Sequence, residues 1–251
     1  LLTGFSRAKE ERLKTPDKNF YQKNCTIHFL FRHLFETIYR HFHDHYIFNA
    51  CNFAFLPKTL FALDFQKDIE QAVEALHNGG LILYPTDTIW GIGCDATNAV
   101  AVQKIFALKK RSGTKGMIVL MTDEREVLKY TTQPDLRVFE FLKSVPRPTT
   151  VIYEGAIGLA HNLIGADGTA AIRLVKDRFC RHLIKRFRKP VVSTSANFSE
   201  KPSPKYFAEV SEEIKRAVDY VVRFRQDDDT IGKPSAIVKW NKDGVPAFIR
   251  T

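Results

Sequence analysis

The sequence predicts an α/β fold, a sheet of mixed strand direction with flanking helices, from three observations. Apolar runs of strand length stop at polar residues: residues 81–84 (LILY) halt at Pro85, and Val191-Val192 halts at Ser193. Other segments carry the helical period, most plainly Ile69, Ala72, Val73 and Leu76 at i, i+3, i+4 and i+7 spacing. The two kinds of segment alternate along the chain, which is the order an α/β sheet requires.

Taken in order, the regular text begins at Asp64, which can cap a helix closed by Gly79-Gly80. The 81–84 strand follows. Pro85-Thr86-Asp87-Thr88 then puts short polar side chains at the strand's carboxyl end, where an α/β sheet opens into a crevice. Gly91 and Gly93 bracket Ile92 in a short second run that permits close backbone approach. Asn98 starts a helix carrying Val102, Ile105, Phe106 and Leu108, and residues 109–116 (KKRSGTKG) form a basic loop before a strand over 117–121. Asp123 and Glu126 have capping-box spacing, and a further helix runs from Pro134 to about Lys143. The rigid turn 146–150 (PRPTT) leads into a strand over 151–153. A strand over 169–175, a helix over 177–188 and the strand ending at residues 193–197 (STSAN) follow. A last helix near 211–218 and strands near 220–222, 236–240 and 247–249 complete the sheet; there is no internal repeat.

Residues 1–63 read differently. Ten of the 20 Phe fall there, with five of the 8 His, and residues 27–48 mix His, Phe and Arg on every helical face. This stretch is expected to be a poorly ordered, dispensable extension, with 64–251 as the catalytic domain. His41, His43 and His45 with Asp44 invite a metal reading, but no Cys or Glu-x-x-His partner accompanies them, so an incidental His-rich tract is preferred. The chain starts at Leu1 with no Met before Met117, consistent with a fragment or an upstream stretch read through.

The formal charge of +10 suits a polyanionic partner, either nucleic acid or a phosphorylated small molecule, and equally a solvated basic surface. Cys25, Cys51, Cys94 and Cys180 form no C-x-x-C pair, so neither a zinc site nor a disulfide framework is indicated and a reducing, cytoplasmic setting fits. No window reaches the roughly 18 apolar residues of a membrane span. The G-x-x-x-x-G-K-[ST], G-x-S-x-G and H-E-x-x-H motifs are missing, which disfavours the common triphosphatases, serine hydrolases and zincins.

What remains is two polar strand ends, 85–88 and 193–197, with the Lys/Arg loop between them in sequence. Hydroxyls, an amide and several cations suit a triphosphate plus a small polar molecule. Each piece alone reads equally as a turn hydroxyl, a helix end complementing its dipole, or a cap.

The ordered series PTDTIWGIGCDA, KKRSGTK, PRPTT, AIR, STSANFSEKPSP, GKPSAIV and terminal FIR resembles the YrdC/Sua5 family of threonylcarbamoyl-AMP synthases, in its short form, over about residues 65–250. The resemblance implies a twisted open sheet around a basic cavity. It also implies that L-threonine, bicarbonate and ATP give threonylcarbamoyl-adenylate and pyrophosphate, with Mg2+ carried on ATP and no metal site on the protein. The product would pass to a downstream transferase machinery for the t6A modification of tRNA. The same resemblance gives Thr86, Thr88 and Arg173 to threonine; Lys109 and Arg111, Ser195 and Asn197 to the phosphates as the catalytic set; and Lys115, Thr150, Ser193, Ser235 and Arg250 to lesser nucleotide positions. Two departures stand out: Arg147 and Glu200 occupy positions where the family usually has glycine. The alternative is a module that binds double-stranded RNA or tRNA in the same basic cavity.

Overall fold

Short strands buried on both faces need cover on both sides, and the structure supplies it. The computed structural model describes residues 65–110, 116–132, 134–240 and 243–251. The expectations for residues 1–63, with the His41–His45 tract and the cap at Asp64, lie outside the described residues.

The helix α1 (Gln66–His77) starts at Phe65 without a side-chain cap. Strand β1 (Ile82–Tyr84) follows and pairs antiparallel with β2 (Gly91–Gly93). Asn98 caps α2 (Ala99–Leu108), its Oδ1 accepting from the amides of Val100 and Ala101. After β3 (Ile118–Met121), Asp123 caps α3 (Glu124–Tyr130) by accepting from the Glu126 amide at 3.1 Å. Glu126 does not close the box on the Asp123 amide; it reaches one residue further back, to the Thr122 amide at 2.6 Å. Helix α4 (Arg137–Ser144) begins three residues beyond the expected Pro134. Then come β4 (Thr149–Tyr153), β5 (Ala170–Leu174), α5 (Arg178–Phe187) under its Asp177 cap, β6 (Val191–Ser195), α6 (Glu212–Ala217), β7 (Tyr220–Val221), β8 (Ala236–Trp240) and β9 (Pro246–Arg250).

The nine strands form one mixed sheet in the order β7-β1-β2-β6-β3-β5-β4-β8-β9. Alternation along each strand divides the core in two. Leu83, Val119, Met121 and Val192 enter one cluster, and their neighbours Ile82, Tyr84, Leu120 and Val191 the other. Ala72 and Leu76 of α1 pack with Phe179, Leu183 and Phe187 of α5 in the second cluster. Val102, Val127, Val138 and Ile214 bring α2, α3, α4 and α6 to the first.

Register then sets the site. Arg173 lies directly across from Thr150, Ser193 across from Ile118, Ser195 across from Gly91, and Ile237 across from Arg250. Residues far apart in sequence therefore reach neighbouring strands. Gly93 has a packing reason of its own, since a Cβ there would stand 2.6 Å from the Tyr84 ring and 2.7 Å from the Val192 carbonyl. Trp90 is buried with its ring 4.7 Å from that of Phe207.

Candidate functional site

The loop after β1 is wired by its own hydroxyls. Thr86 Oγ1 donates to the Ile89 carbonyl at 2.7 Å and accepts from the Thr88 amide at 3.1 Å. A hydroxyl has one proton, so in the 2.9 Å contact between the two threonine hydroxyls Thr88 is the donor. Thr88 Oγ1 in turn accepts from Arg173 Nη1 at 3.1 Å. Thr88 is left with acceptor capacity only, so it can greet an N–H or O–H of a ligand and not a carboxylate.

Arg173 is buried, and its Nη2 stands 3.0 Å from Asp87 Oδ1. That contact is electrostatic attraction without a hydrogen bond, because neither atom has a bonded partner of acceptable geometry; Arg173 Nε also lacks one. A buried guanidinium with two unsatisfied N–H positions is costly unless something accepts from it. Beneath the loop, Arg225 donates to the Thr86 carbonyl at 3.3 Å and is itself held by Asp228 at 2.9 Å. Above it, Gly232 has no room for a side chain, since a Cβ would collide with the Thr88 carbonyl oxygen.

The opposite wall comes from the end of β6 and the 234–250 hairpin. Lys109, buried, donates to the Ser195 and Asn197 carbonyls at 2.5 Å each and contacts Asn197 Oδ1 at 3.3 Å. It thus pins the turn that presents Ser195. Thr150 Oγ1 shares a 2.8 Å hydrogen bond with Ser235 Oγ, and Arg250 donates to the Ser235 carbonyl through Nε at 3.0 Å and Nη2 at 2.8 Å. Burial, then the guanidiniums of Arg147 and Arg173, push Arg250 below the ordinary arginine value.

Six of the expected site residues, Thr88, Arg173, Ser193, Ser195, Ser235 and Arg250, line one cavity of about 280 Å³. Thr86, Lys109, Thr150 and Asn197 stand behind that wall and hold lining residues in place. Arg111 and Lys115 lie outside the described residues. Ser203 lines the cavity too and was not among the expected residues, although SEKPSP, the text that carries it, was in view. Its position depends on how the chain doubles back after β6, which no local pattern records.

The protein is thus an α/β protein with a mixed sheet, whose cavity opposes a buried arginine and an acceptor hydroxyl to serine hydroxyls and a second arginine, a lining chemically suited to small polar or anionic molecules. Comparison makes this specific: the chain belongs to the Sua5/YciO/YrdC family, described as "Telomere recombination", whose profile matches residues 74–251. A curated relative, the threonylcarbamoyl-AMP synthase of Idiomarina loihiensis, is 33% identical over 173 residues, covering 66% of this chain and 91% of the relative. Among solved structures, P. abyssi Sua5 complexed with L-threonine superposes with a TM-score of 0.65 at 22% identity, over 73% of this chain and 54% of that one. E. coli YciO superposes with a TM-score of 0.64 at 23% identity, over 74% of this chain and 89% of that one. The chain therefore spans about half of the longer Sua5 protein and most of the shorter relatives.

Proposed function

We propose that the protein is a threonylcarbamoyl-AMP synthase, forming threonylcarbamoyl-adenylate and pyrophosphate from L-threonine, bicarbonate and ATP for the t6A modification of tRNA. The carrying observation is the complementary polarity of the Thr88–Arg173 pair. Arg173 offers N–H donors that suit a carboxylate, while Thr88 offers an acceptor that suits an amine or hydroxyl. L-Threonine carries all three groups. The names of relatives over most of their length support the same reading.

In this reading Thr88 and Arg173 bind threonine, with Thr86, whose hydroxyl is fully used within the loop, holding Thr88 in place and Asp87 setting the guanidinium's position. Ser193, Ser195, Ser203, Ser235 and Arg250 face ATP, with Lys109, Thr150 and Asn197 holding that wall and Arg111 and Lys115 adding charge from their loop. The threonine amine takes up bicarbonate and loses water to give a carbamate. A carbamate oxygen then attacks the α-phosphorus, and pyrophosphate leaves. No side chain becomes covalently bonded; the residues contribute positioning and stabilisation of developing charge. Among the described residues no group of three or more His, Cys, Asp or Glu could hold a metal, and Asp87 is engaged by Arg173. Mg2+ would arrive on the ATP phosphates as part of the substrate.

The intermediate would pass to a downstream transferase in the cytoplasm; among the described residues no helix is long and apolar enough to cross a membrane. The duplex RNA alternative has less behind it, since a cavity of about 280 Å³ has the scale of small-molecule sites and a double helix cannot enter it. The test is pyrophosphate release by the full chain. It should require threonine, bicarbonate and ATP together and be weak with serine or valine; release unaffected by omitting threonine would end the proposal.

A further inference from the structure

A second, larger cavity of about 760 Å³ opens where the parallel strands β3 and β5 end. Its position is the usual one for ligands in open α/β sheets, outside the carboxyl ends of strands, yet the threonine and ATP reading leaves it unused. Phe139, Leu142 and Leu174 give it an apolar floor. Arg125, Lys176 and Arg181 stand around it, and among the described residues none of the three has a carboxylate partner.

The acids of the same cavity are spoken for. Asp123 caps α3, Glu124 takes Lys143 at 3.3 Å, and Asp87 faces the buried Arg173. The residual charge is positive and the floor is apolar, so the matching ligand has a flat, weakly polar body and one or more phosphates. A volume within the roughly 300–1,000 Å³ of small-molecule sites admits it.

The two cavities meet at one ion pair. Asp87 lines the larger and Thr88 the smaller, although they are adjacent in sequence, and Arg173 touches both: Nη2 at 3.0 Å from Asp87 and Nη1 at 3.1 Å from Thr88. Arg147, on the wall of the larger cavity, also donates to the Pro234 carbonyl on the wall of the smaller at 3.1 Å. An anion in the larger cavity would compete with Asp87 for the neighbouring positive charge and so shift Arg173, which in the proposed function holds the threonine carboxylate.

We propose that the larger cavity is a second, non-catalytic site for a mononucleotide, and that its occupancy is felt at the threonine site through Asp87 and Arg173. The coupling half rests on the proposed function; the binding half does not.

AMP serves as the probe, measured by equilibrium dialysis on the full chain. Two AMP per chain are expected, falling to one in the triple variant Arg125→Ala/Lys176→Ala/Arg181→Ala, with threonine-dependent pyrophosphate release unchanged within about twofold when AMP is absent. Should the triple variant fail to fold, Lys176→Glu alone is expected to weaken one of the two sites about tenfold or more, the equivalent of about 1.4 kcal/mol. AMP should raise the KM for threonine in the wild type and not in the triple variant. An AMP stoichiometry that neither the triple variant nor Lys176→Glu lowers overturns the proposal, whereas a single wild-type site that the triple variant abolishes supports it and counts against the proposed function instead. So does a short RNA oligonucleotide that binds the Lys176 site where AMP does not, because that site would then read a strand. A wild type that binds two AMP yet releases no threonine-dependent pyrophosphate would count against the proposed function alone.

Discussion

The two ends of the small cavity are built by opposite means. The end proposed for threonine hangs on β1 and β5, with Arg173 almost completely buried and the hydroxyl protons of Thr86 and Thr88 both committed. The end proposed for the nucleotide is made of turns and a rim: Ser195 and Asn197 sit on a turn tied down by one lysine, and Arg250 is at the exposed end of β9. A rigid recess suits a small amino acid discriminated by a methyl and a hydroxyl. An open, cationic wall suits a long polyphosphate whose binding is mainly charge.

Arg173→Ala tests that contrast most severely. It removes the carboxylate's partner and leaves Asp87 largely buried beside no cation, which costs about 3 kcal/mol or more of stability. Pyrophosphate release should fall at least about a hundredfold, with Arg173→Lys failing to restore it because a point charge cannot serve both Thr88 and a carboxylate. Retention of activity in the lysine variant would show that charge, not fork geometry, is what this end uses. Gly232→Ala comes next. Its Cβ cannot coexist with the Thr88 carbonyl, so the loop must shift, and the KM for threonine should rise about tenfold with that for ATP little changed. Equal rises in both constants would mean that the two ends are not independent.

Lys109→Met probes the other wall. It leaves the Ser195 and Asn197 carbonyls without their shared donor, a loss of about 1–3 kcal/mol, and should raise the KM for ATP several-fold while sparing that for threonine. The smallest effect belongs to acid. Asp228 is drawn from 3.8 down to about 2, first by its hydrogen bonding to Thr230 and then by Arg225, which lies on the Thr86 carbonyl. Because the folded value is depressed, this contribution is present above the ordinary carboxylate value and is lost as pH falls from about 4 towards 2. Urea midpoints measured across that window should drop slightly more in the wild type than in Asp228→Asn.

Much of this architecture is legible in the chain. The runs at 81–84, 117–121 and 191–192 announce strands because strands covered on both faces read as short, nearly continuous apolar runs, and all three fall within or beside β1, β3 and β6. Asn98 and Asp123 announce helix starts because a short side-chain acceptor there satisfies otherwise orphaned amides. Helix α4 is legible only approximately, since Pro134 is compatible with a first turn that the structure delays to Arg137.

The site is legible as residue types and not as roles. The sequence by itself determined the strand and helix periods, which depend on neighbours within a few positions, and, through the order of its motifs, the family resemblance and the set of polar residues to inspect. Only the tertiary structure decided that Arg173 faces Thr88 across 85 residues, that Lys109 braces a turn, that Ser203 joins the wall, and that Asp87 looks into a different cavity from Thr88. Those facts follow from strand order and register. A buried charge finds its partner across the sheet, and no local spacing encodes the long-range contact that satisfies it.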